Sequence, residues 1–264
     1  MLFRSSGDFN APFGRSSHHQ VWSEAMVITP ALRGLLGIEI TDGGKELRFA
    51  PQLPANWDRI EAQAVAAGDA RYDLKLVRTT GRLTITITQR AASMTGPASS
   101  SHGVERFVVA PAFPLDARVR RVRVQGHTTR FEIKSAGDIQ RAEVSVEAQE
   151  PSVELVFTYR EGTEVYLVPE SLTPGAQSTG LRILRARAGK DALTLLLEGL
   201  GGRTYGVRAR TPYQLGQTDG VIVQADGRSD PQLSVAFEGL PDLYVRRELT
   251  IPIQRTTVKR PQGK

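Results

Sequence analysis

From residue 38 onward, apolar and polar positions alternate with a period of two, and the stretches that do so mark out a succession of short strands. The clearest is a hairpin. Tyr72, Leu74 and Leu76 alternate with charged residues, Thr79-Thr80-Gly81 turns the chain, and Leu83, Ile85 and Ile87 alternate with Thr84, Thr86 and Thr88. One apolar and one polar face per strand is the pattern of half-buried antiparallel sheet. The same pattern predicts strands over 45–50, 106–110, 118–124, 130–134, 142–148 and 152–159, with Gln149-Glu150-Pro151 as the turn of a hairpin joining the last two. After a Pro-, Gly- and hydroxyl-rich break at 169–180, strands resume over 181–187, 193–198, 204–210, 221–225, 233–238 and 248–253. Pro252 is expected at an edge, because it has no N–H to give to a ladder. No repeat of fixed period occurs, which argues against a solenoid or propeller.

The front of the chain follows a different pattern. Between Ser16 and Ile38 the residues read as helix, with two starts: Ser23 capping a first turn in which Glu24 meets the positive end of the helix dipole, and Thr29 ahead of Pro30. The segment is thus one helix kinked at Pro30 or two short helices in sequence, closed by Gly34 and Gly37. Val21, Trp22, Ala25, Met26, Val27, Ile28, Ala31, Leu32, Leu35 and Leu36 occupy most of its circumference, so it needs neighbours on several sides. Residues 51–57 form an extended connection whose Trp57 is expected to wedge the β portion against the helical end, and 91–103 reads as a loop. The fold class is therefore mainly β: a short N-terminal helical segment followed by two β-sandwich-like modules. The expected divisions are 1–37 for the loop and helix, 38–170 and 180–255 for the modules, and 256–264 for a disordered tail.

Composition narrows the chemistry. Of 264 residues, 40% are hydrophobic and 23% charged, the balance of a soluble globular chain, and no run of about twenty apolar residues predicts a membrane span. The opening MLFRSSGDFN lacks the apolar core of a secretory signal, and nothing else in the sequence assigns a compartment. Cysteine is absent, so disulfides and thiolate metal sites are excluded. His18 and His19 are adjacent, and adjacent side chains tend to point apart, so no metal is expected there. Ser16, Ser17 and Ser23 lack a nucleophile-elbow pattern, and Gly199-Leu200-Gly201-Gly202 lacks the strand-to-helix setting of a phosphate loop, so no cofactor is implied. The net charge is +6. Its densest cluster, Arg118, Arg120, Arg121 and Arg123, reads either as a phosphate patch or as a solvated strand face; the scarcity of nearby aromatics argues against nucleic acid as a partner.

The order Gly14-Arg15-Ser16-Ser17-His18-His19-Gln20-Val21-Trp22-Ser23-Glu24-Ala25-Met26, a last apolar helix ending Leu35-Leu36-Gly37-Ile38, a strand, and Pro51-Gln52-Leu53-Pro54-Ala55-Asn56-Trp57 resembles the carboxy-terminal end of six-hairpin glycosidases. The likeness spans about residues 10–90 of this sequence and is nearest to bacterial members of the glycogen-debranching or α-glucosidase type. In that (α/α)-barrel superfamily the final barrel helix passes directly into a β-domain. The resemblance implies Glu24 as the general base of an inverting α-glycosidase, activating water opposite the leaving group while an acid from an earlier hairpin protonates the glycosidic oxygen. It also implies His18, His19, Gln20 and Trp22 as the sugar-contacting residues, by hydrogen bonding and by stacking. Upstream of Glu24 the sequence offers only Asp8, in a loop, as a partner acid. The expectation is therefore the C-terminal portion of a longer or split glycoside hydrolase. It would supply a general-base loop and accessory β-domains, would be inactive alone, and would have a glycan and the missing N-terminal barrel portion as partners. The alternative is a non-catalytic β-sandwich module that binds carbohydrate or serves a structural role.

Overall fold

In the computed structural model, the described residues are 26–91, 103–160, 162–168, 179–225, 229–241 and 243–255. Period-two alternation is realised there as twenty strands. In chain order they are Ile38–Thr41 (β1), Glu46–Phe49 (β2), Arg59–Ala67 (β3), Ala70–Thr79 (β4), Arg82–Gln89 (β5), Arg106–Val109 (β6), Ala112–Phe113 (β7), Arg118–Val124 (β8), His127–Thr129 (β9), Glu132–Ala136 (β10), Ile139–Glu147 (β11) and Ser152–Arg160 (β12). These are followed by Glu164–Leu167 (β13), Arg182–Ala188 (β14), Ala192–Leu200 (β15), Arg203–Arg210 (β16), Gln214–Leu215 (β17), Val221–Gln224 (β18), Gln232–Phe237 (β19) and Tyr244–Gln254 (β20).

The strands assemble into four sheets around two hydrophobic clusters, so the protein is mainly β and sandwich-like. The first cluster is enclosed by the order β1-β2-β6-β11-β10, with β7 beside β11, and by the order β3-β4-β5-β12-β8-β9. Register makes this core. Ile60, Leu76, Ile85, Leu155 and Val124 lie in one cross-strand row, and Ala62, Leu74, Ile87 and Val153 in the next. Each row presents one apolar face to Leu47, Phe49, Phe107, Val109 and Val144 of the opposite sheet. Tyr72 meets Phe107 edge-on with ring centroids 5.5 Å apart, and its hydroxyl accepts the Val104 N–H at 2.9 Å, so the buried phenol is satisfied. The second cluster lies between the orders β13-β16-β19-β18 and β14-β15-β20-β17, with Leu193, Leu195 and Leu197 of β15 fully buried.

The structure corrects two local expectations. β11 and β12 do not form a hairpin: β11 pairs with β6, β7 and β10, whereas β12 pairs with β5 and β8. Gln149-Glu150-Pro151 carries the chain across the core from one sheet to the other. Both strands still point their apolar residues inward, which is why alternation alone could not separate a hairpin from a sandwich crossing. Thr29 is not a cap either. Its φ of −61° and ψ of −48° are helical and its side chain makes no capping bond. Residues 26–29 form an α-turn that runs on into a wider π-type turn over Pro30–Leu35, closed by Leu36 N–H to Ala31 O at 3.0 Å. Pro30, lacking an amide, sits where the pitch changes.

Gly37 ends this segment at φ +59°, where a Cβ would lie 2.3 Å from the Ala50 carbonyl oxygen. Ala50 N–H to Gly37 O (3.0 Å) and Gln52 N–H to Leu35 O (2.8 Å) then tie the helical end to the strand that follows β2. Pro252 faces its nitrogen away from β15, towards the two-residue β17, and its carbonyl accepts from Gly216 N–H at 2.8 Å; that ladder stops where the proline has nothing to donate. Glu164–Leu167 pairs with β16, so the polypeptide passes from the first cluster to the second at Thr163. Residues 92–102, 169–178 and 256–264, which the sequence predicts as a loop, a break between modules and a tail, lie outside the described residues. Leu155→Ala and Leu195→Ala, one in each core, are each expected to lower unfolding free energy by about 2–5 kcal/mol, read from the midpoint and slope of urea denaturation.

Candidate functional site

Glu24, His18, His19, Gln20 and Trp22 lie outside the described residues. The helical segment immediately after them is described, and its apolar side chains are open: Met26 is 70% exposed, Val27 71%, Ile28 54% and Leu32 39%. Only from Leu36 and Ile38 onward does the chain bury itself in the first core. Trp57, expected as a wedge, is 43% exposed; the turn that carries it serves instead to hold Arg78.

A dense polar network among the described residues lies at the seam between the two sandwiches. Leu115 and Thr163 exchange both backbone hydrogen bonds at 2.9 Å. Thr163 is fully buried, and its hydroxyl lies 3.0 Å from that of Thr211. Gly162 permits this contact, since a Cβ there would stand 2.1 Å from the Leu115 carbonyl oxygen. One residue on, Glu164 of β13 receives Arg78 Nη1 of β4 at 2.7 Å. The guanidinium also donates through Nη2 to the carbonyls of Ala55 (2.7 Å), Trp57 (3.1 Å) and Pro54 (3.3 Å). Its Nε is buried, makes no hydrogen bond and lies 3.5 Å from Asp58 Oδ1. Asp58 in turn accepts from Arg210 Nη1 at 2.6 Å, and Arg210 Nε reaches Asp230 at 3.3 Å, where the Tyr166 hydroxyl also donates at 3.1 Å.

Two clefts flank this relay, of 450 Å³ on the Leu53, Phe113 and Leu184 side and 290 Å³ on the Thr79, Tyr159 and Pro212 side, and both are lined by Glu164 and Arg78. Burial pushes the Glu164 carboxyl above its usual range, opposed by the charge and hydrogen bond of Arg78. Burial likewise raises the Tyr166 phenol, and the neighbouring Asp230 carboxylate adds to it. Glu164 and Asp58 are thus bridged by a single guanidinium that is itself fixed by three carbonyls, an arrangement suited to locking two sandwiches together. No group of three or more His, Asp or Glu side chains that could hold a metal occurs among the described residues. No helix among them is long and apolar enough to cross a membrane.

A third cleft, of 550 Å³, opens elsewhere on the seam between Arg118, Arg160, Arg187 and Arg255. Sequence reading picked out Arg118 but not its three companions, nor Arg78, Asp58 or Glu164. Each stands alone on a polar strand face or in a turn, and only the pairing of distant strands gathers them; the one local signal was the spacing of Arg118, Arg120, Arg121 and Arg123.

Removing one partner of the buried pair leaves the other uncompensated, so Arg78→Ala is expected to cost about 3–5 kcal/mol in urea denaturation. Because the Glu164 carboxyl is raised in the folded protein, its favourable contribution is complete below its unfolded value and is lost as pH rises through the folded one. Relative to Glu164→Gln, the wild-type chain should therefore lose thermal stability as pH rises above the ordinary glutamate range, and a difference that stays flat or grows with pH would contradict the assignment. Comparison with models of protein families finds none that matches this chain, and comparison with curated proteins finds no match.

Proposed function

We propose that this chain is the C-terminal portion of a carbohydrate-active glycoside hydrolase of the inverting, (α/α)-barrel kind, supplying a general-base loop around Glu24 and accessory β-sandwiches. The single observation that carries this reading is the open apolar surface of Met26, Val27, Ile28 and Leu32 on a helical segment whose ties to the β portion, among the described residues, are at its far end. Exposed contiguous apolar surface of this sort marks a face awaiting a partner. A barrel whose last helix runs into a β-domain supplies such a partner in neighbouring helices. Glu24, two residues before Met26, would then stand at the mouth of the barrel with His18, His19, Gln20 and Trp22 as its sugar-contacting neighbours.

A second reading, a carbohydrate-binding module without catalysis, draws support from the 550 Å³ cleft, which the sandwiches build by themselves. Glycan binding that survives deletion of residues 1–34, a cut that spares buried Leu36, would favour it.

The test of the first reading is the combined substitution Met26→Gln, Val27→Ser and Ile28→Gln. It should abolish binding of a hydrophobic dye by the chain and leave the melting temperature unchanged, since those side chains bury little here. A large fall in melting temperature would mean that the segment is sealed by its own chain, and the barrel-docking proposal would be lost. The chain alone should hydrolyse α-linked gluco-oligosaccharides no faster than buffer; turnover that Glu24→Gln removes would instead describe an enzyme complete in itself.

A further inference from the structure

The 550 Å³ cleft is built from both sandwiches: Arg118 of β8 and Arg160 of β12 on one side, Arg187 of β14 and Arg255 at the end of β20 on the other. Its two carboxylates are already engaged. Asp116 accepts the Thr163 N–H at 3.1 Å and the Tyr213 hydroxyl at 3.1 Å, and pairs with Arg255 at 3.3 Å. Asp138 accepts from Arg187 Nε at 2.7 Å and lies 3.6 Å from Arg185. Arg118 and Arg160 have no carboxylate partner among the described residues. They are nevertheless directly opposite each other in the β8–β12 ladder, and like charges so placed destabilise a sheet.

The charge continues beyond the cleft. Arg82, Thr158 and Arg121 share a cross-strand row, Arg123 follows on β8, and the register shift at Thr158/Tyr159 leaves Arg120 exposed beside them. A guanidinium pair that repels across a ladder, at the mouth of a cleft of ligand size, gains most from a carboxylate that both forks can grip.

We propose that this cleft binds an acidic oligosaccharide, with Arg118 and Arg160 holding the carboxylate of a uronate-type sugar. The anion follows from the arginine geometry; the choice of a sugar to carry it rests on the carbohydrate reading above. The rest of the lining suits a sugar. Gln140 offers an amide donor and acceptor, and the remaining lone pairs of Asp116 and Asp138 accept from hydroxyls. The described residues offer no stacking platform for bases there, because the Tyr213 ring is buried beneath Arg255, with the guanidinium carbon 4.8 Å from the ring centroid.

Calorimetric titration of the full chain with tri-galacturonate at low salt tests this, alongside neutral tri-galactose, poly-glutamate and duplex DNA at matched charge concentration. Tri-galacturonate should bind and tri-galactose should not. The Arg118→Gln/Arg160→Gln double variant should weaken binding roughly tenfold, whereas Arg33→Gln/Arg203→Gln, which removes the same net charge elsewhere, should leave it unchanged. The proposal is overturned if tri-galacturonate does not bind, or if both double variants weaken it equally. Poly-glutamate or DNA binding as tightly, with the same sensitivity to Arg118 and Arg160, would also overturn it as a sugar site. None of these outcomes bears on the docking of the helical segment, whose readouts are dye binding and melting temperature.

Discussion

The carboxylate of Glu164 is buried where two sandwiches meet, and the guanidinium of Arg78 holds it there. Taking both groups from water is costly, and the attraction between them offsets that cost only when the remaining donors are also satisfied. Three carbonyls of the Pro54–Trp57 turn take up Nη2 of Arg78 and Asp58 faces its unbonded Nε at 3.5 Å, so an exposed tryptophan turn, the end of β4 and the first strand of the second sandwich become one assembly. The Leu115–Thr163 backbone bridge and the close approach permitted by Gly162 fix the same junction at the level of the main chain. A hydrophobic seam would hold the sandwiches at many angles; a directional ion pair with backbone partners favours one.

The three clefts along the seam depend on that fixed angle. The 450 and 290 Å³ clefts lie on either side of Glu164, and the 550 Å³ cleft draws Arg118 and Arg160 from one sandwich and Arg187 and Arg255 from the other. Were the sandwiches to turn relative to one another, the four arginines would no longer face a common space. Structural locking and ligand recognition are thus separate tasks at one seam. The first is performed by the buried pair of Arg78 and Glu164, and the second is available to Arg118 and Arg160, which are exposed and have no carboxylate partner among the described residues.

The helical front has a different relation to the fold. Its last turn is stitched to the β portion through Leu35, Gly37, Ala50 and Gln52, while Met26, Val27 and Ile28 lie open. The change from α to π pitch at Pro30 divides the described segment into an exposed half and an anchored half. This division fits a helix whose anchored end belongs to the sandwich and whose free end belongs to another helical body.

Many strand positions and their inward faces were legible from the sequence, because alternation with period two is imposed by the pleat and by burial on one side; Leu74, Leu76, Leu83, Ile85 and Ile87 are buried as that pattern predicts, whereas the alanine-rich edge strand β3, its register broken between Ala62 and Val65, and the short β13 were not read. The apolar excess at the front and the stop at Gly37 were legible for equally local reasons. Which strands pair was not: β11 and β12 satisfy the same alternation whether they form a hairpin or cross between sheets, and only the packing of two faces into one core selects the crossing. The polar seam was invisible for a further reason. Arg78 and Glu164 are 86 positions apart, and Arg210 and Asp58 are 152 apart, so nothing in their local surroundings announces the partner. Short-range sterics and burial pattern set the elements of this protein, whereas long-range charge pairing, which exists only once the sheets have closed, decided where its clefts lie and which arginines face them.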